Sequence, residues 1–560
     1  MRSSRVFTAG ALPRWLACAL FAAMAAADNA APATAHDPLF IESERCIACH
    51  SNISTSSGED ISIGYQWRGT MMANSARDPY WLAGVRREVI DHPAAQSAIE
   101  DKCTVCHMPM GRTQAVAQGG QGKAFATIEL ARHDPAAAHL AMDGVSCTLC
   151  HQITAQGLGE ATSFDGGYHI DLAADAAGRP LFGPYTVDSG RQRAMHSSTE
   201  RFRPVMSTHV RQSELCATCH TLYTQALDAN GQPAGELPEQ MPYQEWLASS
   251  YARDSADGRL RAQSCQSCHM PVVAGVAPIT STLGQPHTGV ARHVFVGGNA
   301  YMLRLLNRYR EELGVVSPAT ELQASVERTQ RFLRDATARL TIESVSTASG
   351  QLEFELQIMN LAGHKFPTAY PSRRAWLHVQ VSDTDGRIVF ESGALRADGS
   401  IAGNDNDQDA DRFEPHYTLI TAPDQVQIYE SIMQDARGQV TTGLLSAVRY
   451  AKDNRLLPAG FDKTAADPDV AVRGAAATDA DFIAGGDRVR YRVALTGATA
   501  PLTIRAELLF QSIGHRWAQN LQKYDAAEPR RMLAYYAATA ADSAETIASV
   551  EHRMESDGQR

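Results

Sequence analysis

Cys46-Ile47-Ala48-Cys49-His50 is a pentapeptide pattern that returns four more times in this chain. The repeats are Cys103-Thr104-Val105-Cys106-His107, Cys147-Thr148-Leu149-Cys150-His151, Cys216-Ala217-Thr218-Cys219-His220 and Cys265-Gln266-Ser267-Cys268-His269. Cys-x-x-Cys followed directly by His is the attachment pattern of a c-type haem. Two thiols one short turn apart can add across the two vinyl groups of one porphyrin. The next residue then brings an imidazole under the ring as the proximal iron ligand. A zinc knuckle or a redox dithiol uses the same cysteine spacing but has no need of the histidine. With 19 histidines in 560 residues, five such placements are not coincidence. The expectation is five covalent haems on Cys46, Cys49, Cys103, Cys106, Cys147, Cys150, Cys216, Cys219, Cys265 and Cys268, with His50, His107, His151, His220 and His269 on the irons.

The rest of the chain agrees with export. Arg2, Arg5 and Arg14 precede a short apolar run, Trp15 to Ala27, which ends in small residues. This reads as a signal peptide over 1–27, with cleavage as late as 35 as an alternative. An uncleaved anchor is the rival, but the run is short for a span. Of 11 cysteines only Cys18 lies outside the haem motifs, and it falls inside the signal. No Leu stands three positions before it, which argues against lipidation. Haem is attached after translocation, so the expected location is the periplasm or the cell exterior. The formal net charge of −11 argues against nucleic acid or an anionic membrane surface as a partner and is compatible with a redox partner protein. No later stretch approaches membrane-spanning length.

The expected fold class is α+β and multidomain. A mainly helical, haem-packed segment occupies 36–313, where Gly, Pro and Asp are frequent and long periodic runs are few. A connecting segment, 314–340, carries an amphipathic helix over 318–338, with Leu322, Val326, Thr329, Phe332, Leu333, Ala336 and Leu340 recurring at intervals of three and four. At Leu340 the period changes to two. Leu352, Phe354, Leu356 and Ile358 alternate with polar residues after Ser349-Gly350. Further strands are expected at 341–345, 375–381, 387–391, 425–433, 488–495 and 502–509. Together they suggest an antiparallel, Ig-like β-sandwich over 341–515. The remainder, 516–560, is expected to be a helix-prone surface tail. The acidic run Asp405 to Asp411 could hold Ca²⁺ through alternating oxygens, but it lacks the Gly and Glu of an EF-hand loop, and a solvated loop is the alternative.

Fourteen histidines lie outside the motifs, and five irons each have a sixth position to fill. His139 (preferred to His133), His196, His209 and His293 (with His287 as its rival) are candidate distal ligands. His364 is another, projecting from the loop after the 352–358 strand. The alternative for His364 is an ordinary surface-loop histidine, and the sequence does not choose. His169 and a thioether from Met71 or Met72 are further candidates. His36, His378 and His552 are read as bystanders.

Several motifs carry a resemblance to a family. These are Asp143-Gly144-Val145-Ser146-Cys147, Ser213-Glu214-Leu215-Cys216, Tyr243-Gln244-Glu245-Trp246, Cys268-His269-Met270-Pro271 and Arg292-His293-Val294-Phe295-Val296-Gly297-Gly298-Asn299. In these the chain resembles multihaem cytochromes c of the cytochrome c-554 (c-552/4) type. It looks especially like exported members with an appended β domain that begins near Asn360-Leu361-Ala362-Gly363-His364-Lys365-Phe366-Pro367-Thr368. The resemblance covers about 46–300 and 340–515. The family's usual core has four haems, so the fifth motif is a departure. The resemblance implies electron transfer. The alternatives are a multihaem oxidoreductase acting on a small nitrogen or sulfur compound at one open haem, and a subunit of a larger redox assembly. No Cys-x-x-Cys-Lys variant marks a special haem.

Overall fold

The computed structural model describes residues 38–173, 178–228, 230–254 and 261–554. The signal segment, Cys18 and His36 lie outside them. Leu39–Arg560 forms one compact unit. No helix among the described residues is long and apolar enough to cross a membrane.

The structure is a mixture of helices and sheets. The first half is built of short helices. Two of the longer ones are Pro79–Asp91 and Gln96–His107, and Asp78 caps the former by accepting from the N–H groups of Tyr80 and Trp81. Sparse helical structure was the expectation here. The segment also holds three two-stranded pairs that periodicity did not reveal: parallel β1 (Arg179–Gly183) with β2 (Phe202–Met206), and the hairpins β3 (Leu222–Leu227) with β4 (Pro233–Gln240) and β5 (Val276–Pro278) with β6 (Pro286–Thr288). Pro180, Pro204, Pro233 and Pro238 fall within these strands, and proline is tolerated only at such sheet edges. Met71 and Met72 lie on a turn rather than a helix.

The expected amphipathic helix is present as Ala319–Ala336. It buries Leu322, Val326 and Leu333, and it packs on the Ala300–Arg308 helix. The change of period at 340 marks β7 (Ala338–Ala348). This strand turns at Ser349-Gly350, both at positive φ, into β8 (Gln351–Asn360). Such a two-residue turn matches the twist of the strands it joins. β9 (Arg374–Ser382), β10 (Ile388–Ser392), β11 (Leu419–Ile420), β12 (Ile428–Tyr429), β13 (Ser431–Asp435), β14 (Val440–Thr441), β15 (Ala447–Asp453), β16 (Gly486–Ala494), β17 (Leu502–Gln511) and β18 (Ala544–Met554) follow. One sheet runs β11-β16-β8-β7 and a second β10-β9-β17-β18, with β12 also on β9; β14-β13-β15 form a third. Pairing is antiparallel apart from β11 on β16 and β1 on β2. Alternate residues of β8 (Leu352, Phe354, Leu356, Ile358), β16 (Val489, Tyr491, Val493), β9 (Leu377, Val379, Val381) and β17 (Ile504, Ala506, Leu508) enter one buried core. The two larger sheets therefore cover a common interior.

The C-terminal segment differs from the helical tail expected for 516–560. Ala527–Ala537 is helical and buries Met532, Tyr535 and Tyr536, but the chain then enters β18 and pairs along the whole of β17. The 425–433 run, expected as one strand, is divided at Glu430 into β12 and β13.

Carboxylates of the 405–411 run are engaged within the protein. Arg374 donates to both oxygens of Asp407 at 2.7 and 3.0 Å, Asp405 pairs with Arg412, and Asp409 accepts the N–H of Asp411. That consumes oxygens a Ca²⁺ ion would need.

Candidate haem sites

Each motif occupies one turn of helix, which is what brings its three functional groups to one side. The N–H of His50 donates to the carbonyl of Cys46 at 2.8 Å, that of His151 to Cys147 at 3.0 Å, and that of His220 to Cys216 at 3.0 Å. His107 and His269 close the helices Gln96–His107 and Cys265–His269. None of the ten motif cysteines is paired in a disulfide.

Backbone carbonyls fix the tautomers. A carbonyl can only accept, so a ring nitrogen facing one carries the proton. Nδ1 of His50 donates to Ile279 O at 2.7 Å, His107 to Ser75 O at 3.3 Å, His151 to Phe182 O at 2.5 Å and His269 to Val296 O at 2.5 Å. In all four the lone pair is left on Nε2, the arrangement that orients a metal-ligating histidine. Burial lowers the pKa of every motif histidine, taking His107 and His220 to about 4, so the rings are neutral and available as ligands.

Two motif histidines face a second imidazole. His269 and His364 have ring centroids 6.2 Å apart with planes within 8°. His151 and His293 are 6.4 Å apart at 20°. Two imidazoles that share one metal through Nε2, with metal–nitrogen bonds of about 2 Å each, have centroids roughly 6 Å apart. The second rings are prepared in the same way as the first: Nδ1 of His364 donates to Lys365 O at 2.8 Å, and Nδ1 of His293 to Ala291 O at 3.1 Å. Donor set, tautomer and spacing all fit a haem iron held between two histidines.

The other candidates are placed differently. His209 is buried near His151, but its Nε2 donates to Ile153 O at 2.8 Å and its Nδ1 bonds Ser207 Oγ at 2.7 Å, which uses both nitrogens. Nδ1 of His139 donates to Ala136 O, and its Nε2 lies 3.5 Å from Glu42. His196 is exposed on the Ser189–Thr199 helix, beside Gly178. His133 pairs with Glu129, His169 bonds Thr154, and His287 lies against Tyr185. Among the described residues no second imidazole makes a ring contact with His50, His107 or His220. His107 instead lies flat on Trp81, with centroids 4.3 Å apart and planes within 2°.

The motifs also meet one another. The side chains of Cys46 and Cys147, of Cys106 and Cys219, and of Cys216 and Cys265 lie close enough to perturb one another; in each pair one thiol is lowered and the other raised. Cys150 feels the charge of Cys219. The first motif thus adjoins the third, and the fourth adjoins the second, third and fifth.

Sequence reasoning missed the groups that hold the His364 loop. Glu245, fully buried on the Pro242–Leu247 helix, accepts from Lys365 N–H at 3.2 Å and from Thr368 Oγ1 at 2.5 Å. It also pairs with Arg455 at 2.8 Å. Arg455 and Lys365 share Asp453, at 2.7 and 2.8 Å. The signal was present in Tyr243-Gln244-Glu245-Trp246, an acid between two aromatic residues on a short helix, but nothing in the sequence pointed to its partners.

A further cluster, His416 with Asp479 and Asp487, is buried in the β region with its ligand atoms within 4.8 Å of one another. Its hydrogen bonds exclude the imidazole as a metal ligand. Gln427 and Asn454 both donate to Nδ1, at 2.8 and 3.1 Å, and their own oxygens accept from the N–H groups of Tyr417 and Glu430, which fixes the amides. Nε2 therefore carries the proton and donates to Asp479 at 3.0 Å. Burial raises the neighbouring Asp487 carboxyl to about 8. A carboxyl raised above its unfolded value contributes stability that is present at low pH and lost as pH rises through the folded value. Asp487→Asn is expected to flatten this decline. Measured by chemical denaturation, the variant should gain about 5 kcal/mol relative to wild type between pH 4 and pH 9, whatever constant offset the amide brings. An unchanged pH slope would show that Asp487 is not raised.

No family model matches the chain, and no curated protein matches it. A similar solved structure is the crystal structure of a penta-heme cytochrome c552 from Thermochromatium tepidum. It is 16% identical with a TM-score of 0.50, and the alignment covers 92% of this chain and 100% of that one. The likeness is one of fold.

Proposed function

We propose that the chain is an exported multihaem c-type cytochrome that relays electrons through five covalently bound haems. The observation that carries this is the repeated turn: two thiols and an imidazole on one side, with Nδ1 pinned to a carbonyl in four of the five motifs. The fold shared with a penta-heme cytochrome supports it. Haem iron supplies reversible one-electron transfer, and its axial ligands set the potential. The protein's own part is to hold each proximal ring neutral, with Nε2 directed outward. His293 and His364 serve the third and fifth motifs from the opposite side, and adjacency of the motifs makes the fourth a junction. In this reading 36–313 carries the haems, the two larger sheets form a β-sandwich that extends past the expected 341–515 to include β18, and the carriers of electrons to and from the chain are redox proteins or small donors in the periplasm or outside the cell.

Haem stoichiometry tests the proposal. Intact mass and a pyridine haemochrome assay should give five haems per chain and no free thiol in the mature protein. Fewer than five in fully matured protein would overturn it.

A second reading, an oxidoreductase with one open haem, draws on the absence of ring-facing imidazoles at His50, His107 and His220 among the described residues. A high-spin ferric signal in the wild-type protein, with turnover of nitrite or hydroxylamine, would favour it.

A further inference from the structure

We propose that a small inorganic oxyanion, phosphate or sulfate, binds in a cleft between the Pro79–Asp91 helix and the C-terminal part of the chain. The cleft has a volume of about 120 Å³, several times the ~15 Å³ that one water needs. Arg87, Arg516 and Lys523 bring three cations to its wall from three separate elements. Arg87 is only 8% exposed. At 100° per residue it stands on the face of its helix opposite Val85 and Val89, which pack with Trp81 and with Cys103 of the second motif. The cleft therefore lies on the side of the helix away from that motif.

The wall presents donors. Nη1 of Arg87 donates to Thr442 O and to Thr442 Oγ1, both at 2.8 Å, and Nδ2 of Asn520 donates to the same Oγ1 at 2.8 Å. A hydroxyl oxygen that accepts twice turns its own proton elsewhere. Thr442 is 6% exposed, and among the described residues no acceptor takes that proton. Nε of Arg87 is likewise buried without a hydrogen bond. Arg516 donates Nε to Asn406 O at 2.7 Å and Nη2 to Asp407 O at 2.9 Å, which leaves Nη1. Lys523 has no hydrogen-bond or ion-pair partner among the described residues. Carboxylates offset only part of this charge. Asp91 lies 3.8 Å from Arg87 Nε on the helix side and accepts the Tyr524 hydroxyl at 2.7 Å; Glu88 accepts from the N–H groups of Leu444 and Leu445. Asp411, the carboxylate on the lining, is exposed and pairs with none of the three cations. Arg516 and Lys523 thus face the cleft with no carboxylate partner among the described residues. Donors that converge from separate directions suit a tetrahedral oxyanion, which accepts on every side. Such an ion would join Arg87 to residues far along the chain and clamp the helix to the C-terminal part.

The test is calorimetric titration of the full-length holoprotein with sodium phosphate and with sodium sulfate, against sodium chloride at equal ionic strength. Phosphate or sulfate should bind saturably, one per chain, and chloride should not. Lys523→Gln, at an exposed position, should weaken binding at least tenfold without disturbing the fold. Thr442→Val should do the same, and Thr442→Ser should restore most of the affinity. Because a ligand that binds only the folded chain stabilises it, the thermal midpoint of the wild type should also rise with phosphate, and rise less in Lys523→Gln. Should Thr442→Val fail to fold, Lys523→Gln decides. No saturable response in the wild type, an equal response to chloride, or an affinity unchanged in Lys523→Gln overturns the assignment.

Discussion

His364→Ala is expected to turn one haem of the set high-spin and to leave the others nearly unchanged. The argument is geometric. His364 faces His269 at 6.2 Å with ring planes within 8° of parallel, and its Nδ1 is committed to Lys365 O, so only Nε2 can reach an iron between them. Loss of one axial imidazole should move that haem's potential by roughly 0.1 V, within the span of about 0.8 V that axial ligation commands. Free imidazole added to the variant should restore the low-spin spectrum. Five haems with wild-type spectra and potentials in the variant would show that the loop donates no ligand.

Glu245→Ala should have the largest effect on stability, a loss of about 3–5 kcal/mol, because it strips a partner from a buried guanidinium and acceptors from the loop. Glu245 and Lys365 are both 0% exposed, and Arg455 is 8% exposed. Glu245→Gln keeps acceptors for Lys365 N–H and Thr368 but not the charge, so it should fall between the two. The same variants should broaden or lose the low-spin signal attributed to His364. A merely structural contact elsewhere would not do this. The network also sets an acid limit. Burial alone would raise the Asp453 carboxyl, but Arg455 and Lys365 outweigh it and hold it well below the usual carboxylate range. Its contribution is present above the unfolded value near 4 and lost as pH falls through the lower folded value. Denaturation midpoints measured down the acid range should show this loss in wild type. A midpoint in Glu245→Ala equal to wild type would refute the account.

Much of this was legible in the chain, for physical reasons that differ by region. The haem motifs are read directly because their chemistry needs adjacent residues. The hairpin of β7 and β8 was legible because alternation at Leu352, Phe354, Leu356 and Ile358 follows from one buried face, and Ser349-Gly350 accepts positive φ. β18 was not, because only Glu545 and Ile547 of its residues are well buried; its inward face of Ala548, Val550 and Met554 is interrupted by His552 and only partly covered at the sheet edge, so the apolar alternation is weak. Candidate distal ligands were legible only as a pool. His209 differs from His293 and His364 in that its Nε2 is claimed by the distant carbonyl of Ile153, a tertiary fact with no local signature. Glu245 and its partners were hidden for the same reason.

The bridge at Glu245 has a consequence for the order of maturation. Its bonds to Lys365 and Thr368 join residues 120 and 123 positions apart, and Arg455 lies further still along the chain. Contacts this remote form late, after the entropy of closing long loops has been met. On the proposed function, a haem can be attached to Cys265 and Cys268 as soon as that stretch of chain is available. The histidine opposite it cannot be in place until strands some hundred residues downstream have come together. In a refolding experiment on haem-bearing chain, the low-spin signature of the fifth site should therefore trail that of the third, whose own second ring, His293, precedes those strands in the chain. That last ligation would serve as a built-in reporter that both halves have folded.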